Sequence, residues 1–314
     1  MIFQKKVLGI DIGMASIKIV ELSKFGKKIT LENYTELPSS LIAKDASGNF
    51  QAESLMKAVK AMLSEAKIKT KDVIFSMPDF LTFSTSFDIP PMTKEEISGA
   101  VNFNASQYIT VPTSEVTLDW QAMPLATVEK NSSYKIFLVA VPNKTVKEYQ
   151  LLTQKAELDL YALESEVFGL KRSLLKDTKK NICLIDIGAK TSTITLTSSG
   201  YLRKSYSINF NSKTLSEILK AKFGQLSVDE MKQKEGFSSK NADFVAELSQ
   251  AFTPIITEIK NIAEELRKEK KSLEEIYLTG GTANLPGLRE YIAKQTMVQA
   301  SIPNSFADFS CSQA

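Results

Sequence analysis

The chain has 314 residues, 43% of them hydrophobic and 24% charged, with a net charge of +3, the composition of a globular protein long enough for two domains. Lysine and arginine are spread along it, so electrostatics make no case for nucleic acid. No run of about 18 apolar residues offers a membrane span, and the absence of histidine leaves any chemistry to carboxylates, lysine, hydroxyls and a hard metal ion.

Met1–Lys6 leads directly into a strand without the apolar core and cleavage site of a signal peptide, which makes a cytoplasmic location the expectation. Val7–Leu22 reads as a β-hairpin. The apolar run Val7-Leu8-Gly9-Ile10 enters Asp11-Ile12-Gly13, a small-residue turn Met14-Ala15-Ser16 follows, and a second run begins at Ile17. Asp11 stands at the lip of the turn, Gly13 lets backbone amides approach an anion, and Ser16 and Lys18 add donors. Alone, such a hairpin is most often just a turn. Ile29–Pro38 predicts a third strand, 44–48 a loop, and Gln51–Lys67 a helix with Leu55, Val59, Met62, Leu63 and Ala66 on one face. Val73–Met77 is a short strand ended by Pro78-Asp79. Phe83–Ile89 predicts a strand that stops at Pro90-Pro91. Thr93 and Glu96 form a capping box for a helix to about Ile109, and Val116–Met123 is another strand. Together these make a small inserted subdomain at about 80–134. Lys135–Val141 is a buried strand, Lys144–Ala156 a helix and Leu158–Leu163 a strand. A helix over Val167–Leu175 then crosses between halves.

Asn181–Leu196 repeats the opening pattern. Asp186 stands to Asp11 as Gly188 to Gly13 and Thr191 to Ser16, a little past the midpoint of the chain. Such a repeat suggests duplicated domains facing each other. Two hairpins across a cleft could clamp a polyphosphate, and two carboxylates there could hold Mg2+ through waters. Cys183 in this strand and Cys311 near the end have no ligand spacing. Tyr201–Asn209 completes the second meander. Helices follow at Lys213–Phe223, Ser227–Glu235 and Phe244–Lys271, the last kinked by Pro254. Glu275–Leu278 is a strand entering Thr279-Gly280-Gly281-Thr282, and Pro286–Gln295 is the next helix. Paired glycines after a strand of an open α/β sheet let backbone approach a flat ring or a phosphate. The reading is two α/β halves, 1–165 and 166–314, the second with its own insertion at about 211–272.

Three such pieces in this order resemble the actin/Hsp70/sugar-kinase ATPase superfamily. Within it the chain is most similar to the PilM family of actin-like type IV pilus assembly proteins, related to FtsA. The similarity spans nearly the whole chain. It is carried by Leu8–Gly13 and Ile17–Leu22, by Tyr108-Ile109 and Leu118–Gln121, by Ile185–Ala189, and by Leu278–Gly281, Leu285–Leu288 and Ile302–Asn304. It implies a duplicated actin-like (ribonuclease H-like) fold whose halves face a nucleotide cleft holding ATP and Mg2+. Gly13, Ser16 and Lys18 would meet the phosphates from one side, and Gly188, Ala189 and Thr191 from the other. Asp11 and Asp186 would hold the Mg2+ shell, and Gly280, Gly281 and Thr282 would meet the adenosine. Asp229 and Lys232, three apart on a helix, resemble a family Glu-x-x-Lys pair at the ribose and adenine. Glu166 is the candidate for orienting an attacking water; its other reading is a first-turn carboxylate favoured by the helix dipole. At most a slow Mg-dependent ATPase is implied.

The resemblance also implies a partner, the cytoplasmic N-terminal peptide of an inner-membrane PilN-like protein. This peptide would lie in a groove between the first domain and its insertion, with Phe80, Phe83, Phe87 and Phe103 as pocket candidates. Other pilus motor and platform proteins, self-association, and a position peripheral to the inner membrane through partners complete the expectation, without membrane insertion. Departures from the family pattern are Lys190 in place of a small polar residue, with contact to phosphate and exposure to solvent as its two readings, Asn211-Ser212-Lys213 in place of a Gly-Gly turn, and Asp at 229. Relatives continue past the position of Ala314 with a further helix, so a truncated or aberrant end is expected. The alternatives are an FtsA-like division protein, whose membrane-binding helix has no counterpart after Pro303, and a sugar-kinase-type phosphotransferase using Asp79 or Asp88 in the Phe-rich insertion.

Overall fold

The structure is a computed structural model that describes residues 5–46, 50–128, 131–175, 178–307 and 309–311. The first half is built on β1 (Lys5–Ile12), β2 (Ser16–Phe25) and β3 (Lys28–Pro38), an antiparallel meander, followed by α1 (Ala52–Glu65) and β4 (Asp72–Met77). The chain then leaves this sheet for β5 (Phe83–Met92), α2 (Lys94–Tyr108), β6 (Val116–Val128) and β7 (Asn131–Pro142). It returns through α3 (Asn143–Lys155) to β8 (Asp159–Ser165) and enters α4 (Glu166–Leu174). β4 lies parallel to β1, and β8 parallel to β4, so the three strands end at the same edge of the sheet. The period-2 pattern of β2 puts Ile17 and Ile19 in the core, where α1 covers them with Val59, Met62 and Leu63.

β5, β7 and β6 form a separate antiparallel sheet, covered by Ile97, Val101 and Ala105 of α2. The capping box of α2 is present, with the Thr93 amide donating to Glu96 Oε2 at 2.9 Å. Two expectations change here. The strand read as Lys135–Val141 is the middle of this small sheet, so the excursion runs to Pro142. Pro90 and Pro91 do not end β5; they interrupt its register between Ile89 and Met92. β5 is an edge strand, where missing donors face outward and proline is tolerated. This sheet leans on the second half: the Ser84 hydroxyl donates to the Ser205 carbonyl at 2.9 Å, and the Leu202 amide donates to Gln121 Oε1 at 2.9 Å.

The second half repeats the meander with β9 (Ile182–Ile187), β10 (Ser192–Ser198) and β11 (Tyr201–Ile208). Helices α5 (Ser212–Phe223), α6 (Gln225–Lys234), α7 (Ala242–Ala251) and α8 (Thr253–Lys268) precede β12 (Glu275–Thr279), α9 (Leu288–Thr296) and β13 (Gln299–Ser301). The sheet order is β11-β10-β9-β12-β13, with β12 parallel to β9. The single kinked helix expected over Phe244–Lys271 is two helices. Pro254 lies in the first turn of α8, where its missing N–H has no intrahelical role. Phe252, wholly buried at the joint, packs against Phe210 and Tyr291. The last strand, β14 (Ser310–Cys311), returns to the first half and pairs parallel with Thr30 and Leu31 of β3. Among the described residues no helix is long and apolar enough to cross a membrane.

Candidate functional site

The two hairpin turns are built alike. In the β1–β2 turn the Gly13 amide donates to the Ser16 carbonyl at 3.1 Å, and in the β9–β10 turn the Gly188 amide donates to the Thr191 carbonyl at 3.1 Å. A Cβ at Gly13 would stand 2.9 Å from Ser16 O, and one at Gly188 would stand 2.8 Å from Thr191 O. Glycine is therefore required by the closure of each turn. This changes the expectation for both glycines, whose amides are used inside the turns, leaving the neighbouring amides as the donors open to a ligand. Each turn is also braced from behind by a serine beyond its third strand, directly after β3 in the first half and at the start of α5 in the second. The Ser39 amide donates to the Ala15 carbonyl at 2.9 Å, and the Ser212 amide to the Gly188 carbonyl at 3.0 Å. Ser16 likewise differs from the expectation: its buried hydroxyl donates to Glu36 Oε1 at 2.5 Å.

Four carboxylates meet where the strands end. Asp11 is near the end of β1 and pairs across the hairpin with Lys18, whose Nζ lies 3.8 Å from Oδ2. Asp186 is near the end of β9, Asp79 opens a short 3-10 turn after β4, and Glu166 opens α4 directly after β8. Ser165 donates to Asp79 Oδ1 at 2.8 Å. Asp11 Oδ1 and Asp79 Oδ2 are shut away from solvent without a hydrogen-bond partner. Burial raises the Asp11 carboxyl above its ordinary range despite Lys18. Burial raises Asp79 despite Ser165 and Thr193. Burial, then Asp79 and Asp11, push Asp186 up to about 6. Burial, then Asp79, Asp11 and Asp186, push Glu166 up to about 8. A carboxylate governed by the helix dipole would be held low instead, so burial, reinforced by the neighbouring carboxylates, outweighs the dipole at Glu166. Among the described residues no three acids are close enough to chelate a metal directly. The arrangement suits a hydrated divalent cation, bound through waters.

The sequence reading places Asp79 in the Phe-rich insertion. The structure puts it before the insertion, at the carboxyl end of β4. The available signal was Val73–Met77 followed by Pro78-Asp79, an acid just past a parallel strand, where open α/β sheets place their sites.

The raised Glu166 has a measurable consequence. Its unfolded carboxyl titrates near 4.5 and its folded one near 8, so the unfolded chain loses the proton first. Stability therefore falls as pH rises through that window. Glu166→Gln is expected to be nearly equal to the parent in stability at pH 4 and increasingly more stable than it as pH rises to 8. Urea melts across this range check it; a difference that does not grow with pH would contradict the strained carboxyl.

The glycine pair is brought to the same place. Thr279 pairs with Asp186, and Gly280, at φ +82°, lies directly on Asp186 and Ile187. Gly281 begins a 3-10 turn and has open space around it, while Thr282 is buried. Ala189 is half-buried, and Thr191 contributes the carbonyl that closes its turn. Lys232 donates to Ser216 Oγ of α5 at 2.7 Å. The Asp229 side chain lies outside the described residues. Asn211 caps α5, its Oδ1 accepting from the Thr214 amide at 2.9 Å.

Behind the first turn lies a groove of about 520 Å³ between α1 and α3, within the first domain rather than between it and the inserted sheet as the sequence reading expects. Leu55 and Met56 form one wall, Leu151 and Leu152 the other, with Ile12 and Met14 of the first hairpin and Phe80 and Lys190 also lining it. Of the four phenylalanines expected to supply pockets, Phe80 alone lines the groove. Phe87 is core, stacked on Tyr108 at 4.7 Å, and Phe83 and Phe103 are exposed elsewhere.

A family model described as type IV pilus assembly protein PilM matches residues 9–314. The chain superposes on a solved PilM-PilN type IV pilus biogenesis complex with a TM-score of 0.78 at 20% identity, covering 98% of this chain and 90% of that one. It superposes on ethanolamine utilization protein EutJ from Carboxydothermus hydrogenoformans with a TM-score of 0.55 at 15% identity, covering 95% and 85%. For MreB5 of Spiroplasma citri bound to ADP the values are 0.54, 12%, 96% and 92%. These likenesses establish the duplicated actin-like ATPase fold.

Proposed function

The chain belongs to the type IV pilus assembly protein PilM family, and on that premise we propose that it is an ATP-binding, actin-like scaffold of pilus assembly. In this reading it sits at the cytoplasmic face of the inner membrane by holding the N-terminal peptide of a PilN-like protein. The nucleotide half of the reading is supported by the two braced turns and the carboxylate cluster beside them, in which Asp11 Oδ1 and Asp79 Oδ2 are shut away without a hydrogen-bond partner. Those residues fit Mg2+ with a polyphosphate, a cation that keeps its waters beside phosphate oxygens. Lys18 and the free turn amides would meet the phosphates, Asp11 and Asp186 would order the cation's waters, and Gly280-Gly281 would admit the base. When bound, the cation would neutralise charge on the phosphates. Without it, Glu166 keeps its proton at neutral pH and is a poor base, which favours slow turnover.

The peptide half of the reading is supported by the groove, whose apolar walls can seat side chains of an extended segment. Its test is a titration of a fluorescein-labelled peptide, the cytoplasmic N-terminus of the PilN-like protein, followed by anisotropy. Leu151 is 48% exposed, so Leu151→Asp leaves the core intact and is expected to weaken binding at least tenfold, about 1.4 kcal/mol. Undiminished binding would place the peptide elsewhere. The phosphotransferase alternative is not favoured at either candidate base, because Asp79 interacts with Asp186 and Glu166 and Asp88 is an exposed carboxylate paired with Lys135 at 2.7 Å.

A further inference from the structure

Lys190 stands in the β9–β10 turn, between Ala189 and the Thr191 whose carbonyl closes it. Its exposed side chain crosses to the other half of the molecule, where its ammonium lies 4.4 Å from the centroid of the Phe80 ring. Among the described residues it has no carboxylate partner. An exposed ammonium on a phenylalanine ring is held by a factor of only about two to five. A phosphate between the two turns would be the stronger partner, since an ionised donor and an ionised acceptor together make the stronger hydrogen bonds. Phe80 and Lys190 also line the groove, beside Met14 of the first turn. The ring face under Lys190 is therefore a face that an apolar groove ligand would compete for.

We infer that Lys190 is a phosphate-binding residue with a resting seat on Phe80, and that this shared seat couples the groove to the nucleotide site. The inference rests on the nucleotide reading above. With no anion between the turns, the ammonium occupies the ring and narrows the groove. With a terminal phosphate present, it leaves the ring, and the ring opens to the groove. Linkage makes the effect reciprocal, so a ligand seated on Phe80 frees Lys190 and tightens nucleotide binding.

A double-mutant cycle tests this without any peptide. ATP binding with Mg2+ is measured by calorimetry for the parent, Lys190→Met, Phe80→Leu and the double variant, with thermal melts confirming that each is folded. Lys190→Met is expected to weaken ATP about five- to tenfold. Phe80→Leu, which removes the competing seat, is expected to tighten ATP about two- to fivefold in the parent and to have no effect in the Lys190→Met background. Additive effects of the two substitutions, or unchanged affinity in Lys190→Met, would overturn the inference while leaving the nucleotide reading standing. Failure of the parent to bind ATP would overturn both.

Discussion

Replacing Gly280 by alanine is expected to lower the unfolding free energy by about 3 kcal/mol and to weaken nucleotide binding with it. At φ +82° and ψ 168° the Gly280 backbone occupies a region essentially closed to residues with a Cβ. The added carbon would also stand 2.6 Å from the Ile187 carbonyl and overlap the Asp186 carboxylate. Backbone strain contributes about 1–3 kcal/mol, and forced shifts in a packed site add about as much again. Relief can come only by moving β12 away from β9, which carries Asp186 out of the carboxylate cluster. The neighbouring Gly281 is the control. A Cβ there meets nothing within 4 Å and its φ is not positive, so Gly281→Ala is expected to stay within about 0.5 kcal/mol of the parent. Urea unfolding of both variants decides the matter, and equal losses at the two positions would show that the Gly280 contact does not govern stability.

Asp11→Asn is expected to move stability and affinity in opposite directions. Removing one charge from the cluster relieves Glu166 and Asp186, both of which Asp11 pushes up, so the variant should gain about 1 kcal/mol at pH 8. The same change removes a charge that would order the cation's waters, so Mg2+-dependent ATP affinity should fall about ten- to a hundredfold, or about 1.4–2.7 kcal/mol. In the parent, affinity should also fall as pH drops from 8 to 6, because Glu166 and then Asp186 take up protons that compete with the cation. Calorimetry at the two pH values, beside urea melts, measures all three effects. Unchanged affinity in Asp11→Asn would remove Asp11 from the site, and a loss of stability would mean that its pairing with Lys18 outweighs the like-charge strain.

The parts legible in sequence are those governed by local chemistry. Each Asp-x-Gly turn between alternating strands was readable, because a period of two and a glycine at the turn are properties of neighbouring residues. Thr93 and Glu96 were readable as a cap for the same reason. Where a local signal had two outcomes, packing chose. Pro254 was compatible with a kink or a restart, and the burial of Phe252 at the joint accompanies two helices. Pro90 and Pro91 read as a stop, yet β5 continues because it lies at a sheet edge, which strand order alone reveals.

By itself, then, the sequence determined two copies of strand, glycine turn and strand, each with an aspartate at its lip, and a glycine pair after a later strand. Tertiary structure decided which groups meet. Asp79 and Glu166 join Asp11 because β4 lies parallel beside β1 and β8 parallel beside β4, and Asp186 joins them from the facing half. Burial and like charge then act through space, so no spacing along the chain could show that Glu166 holds its proton up to about pH 8. The seat of Lys190 on Phe80 has the same origin, a contact between residues on opposite halves that exists only once the two turns face each other.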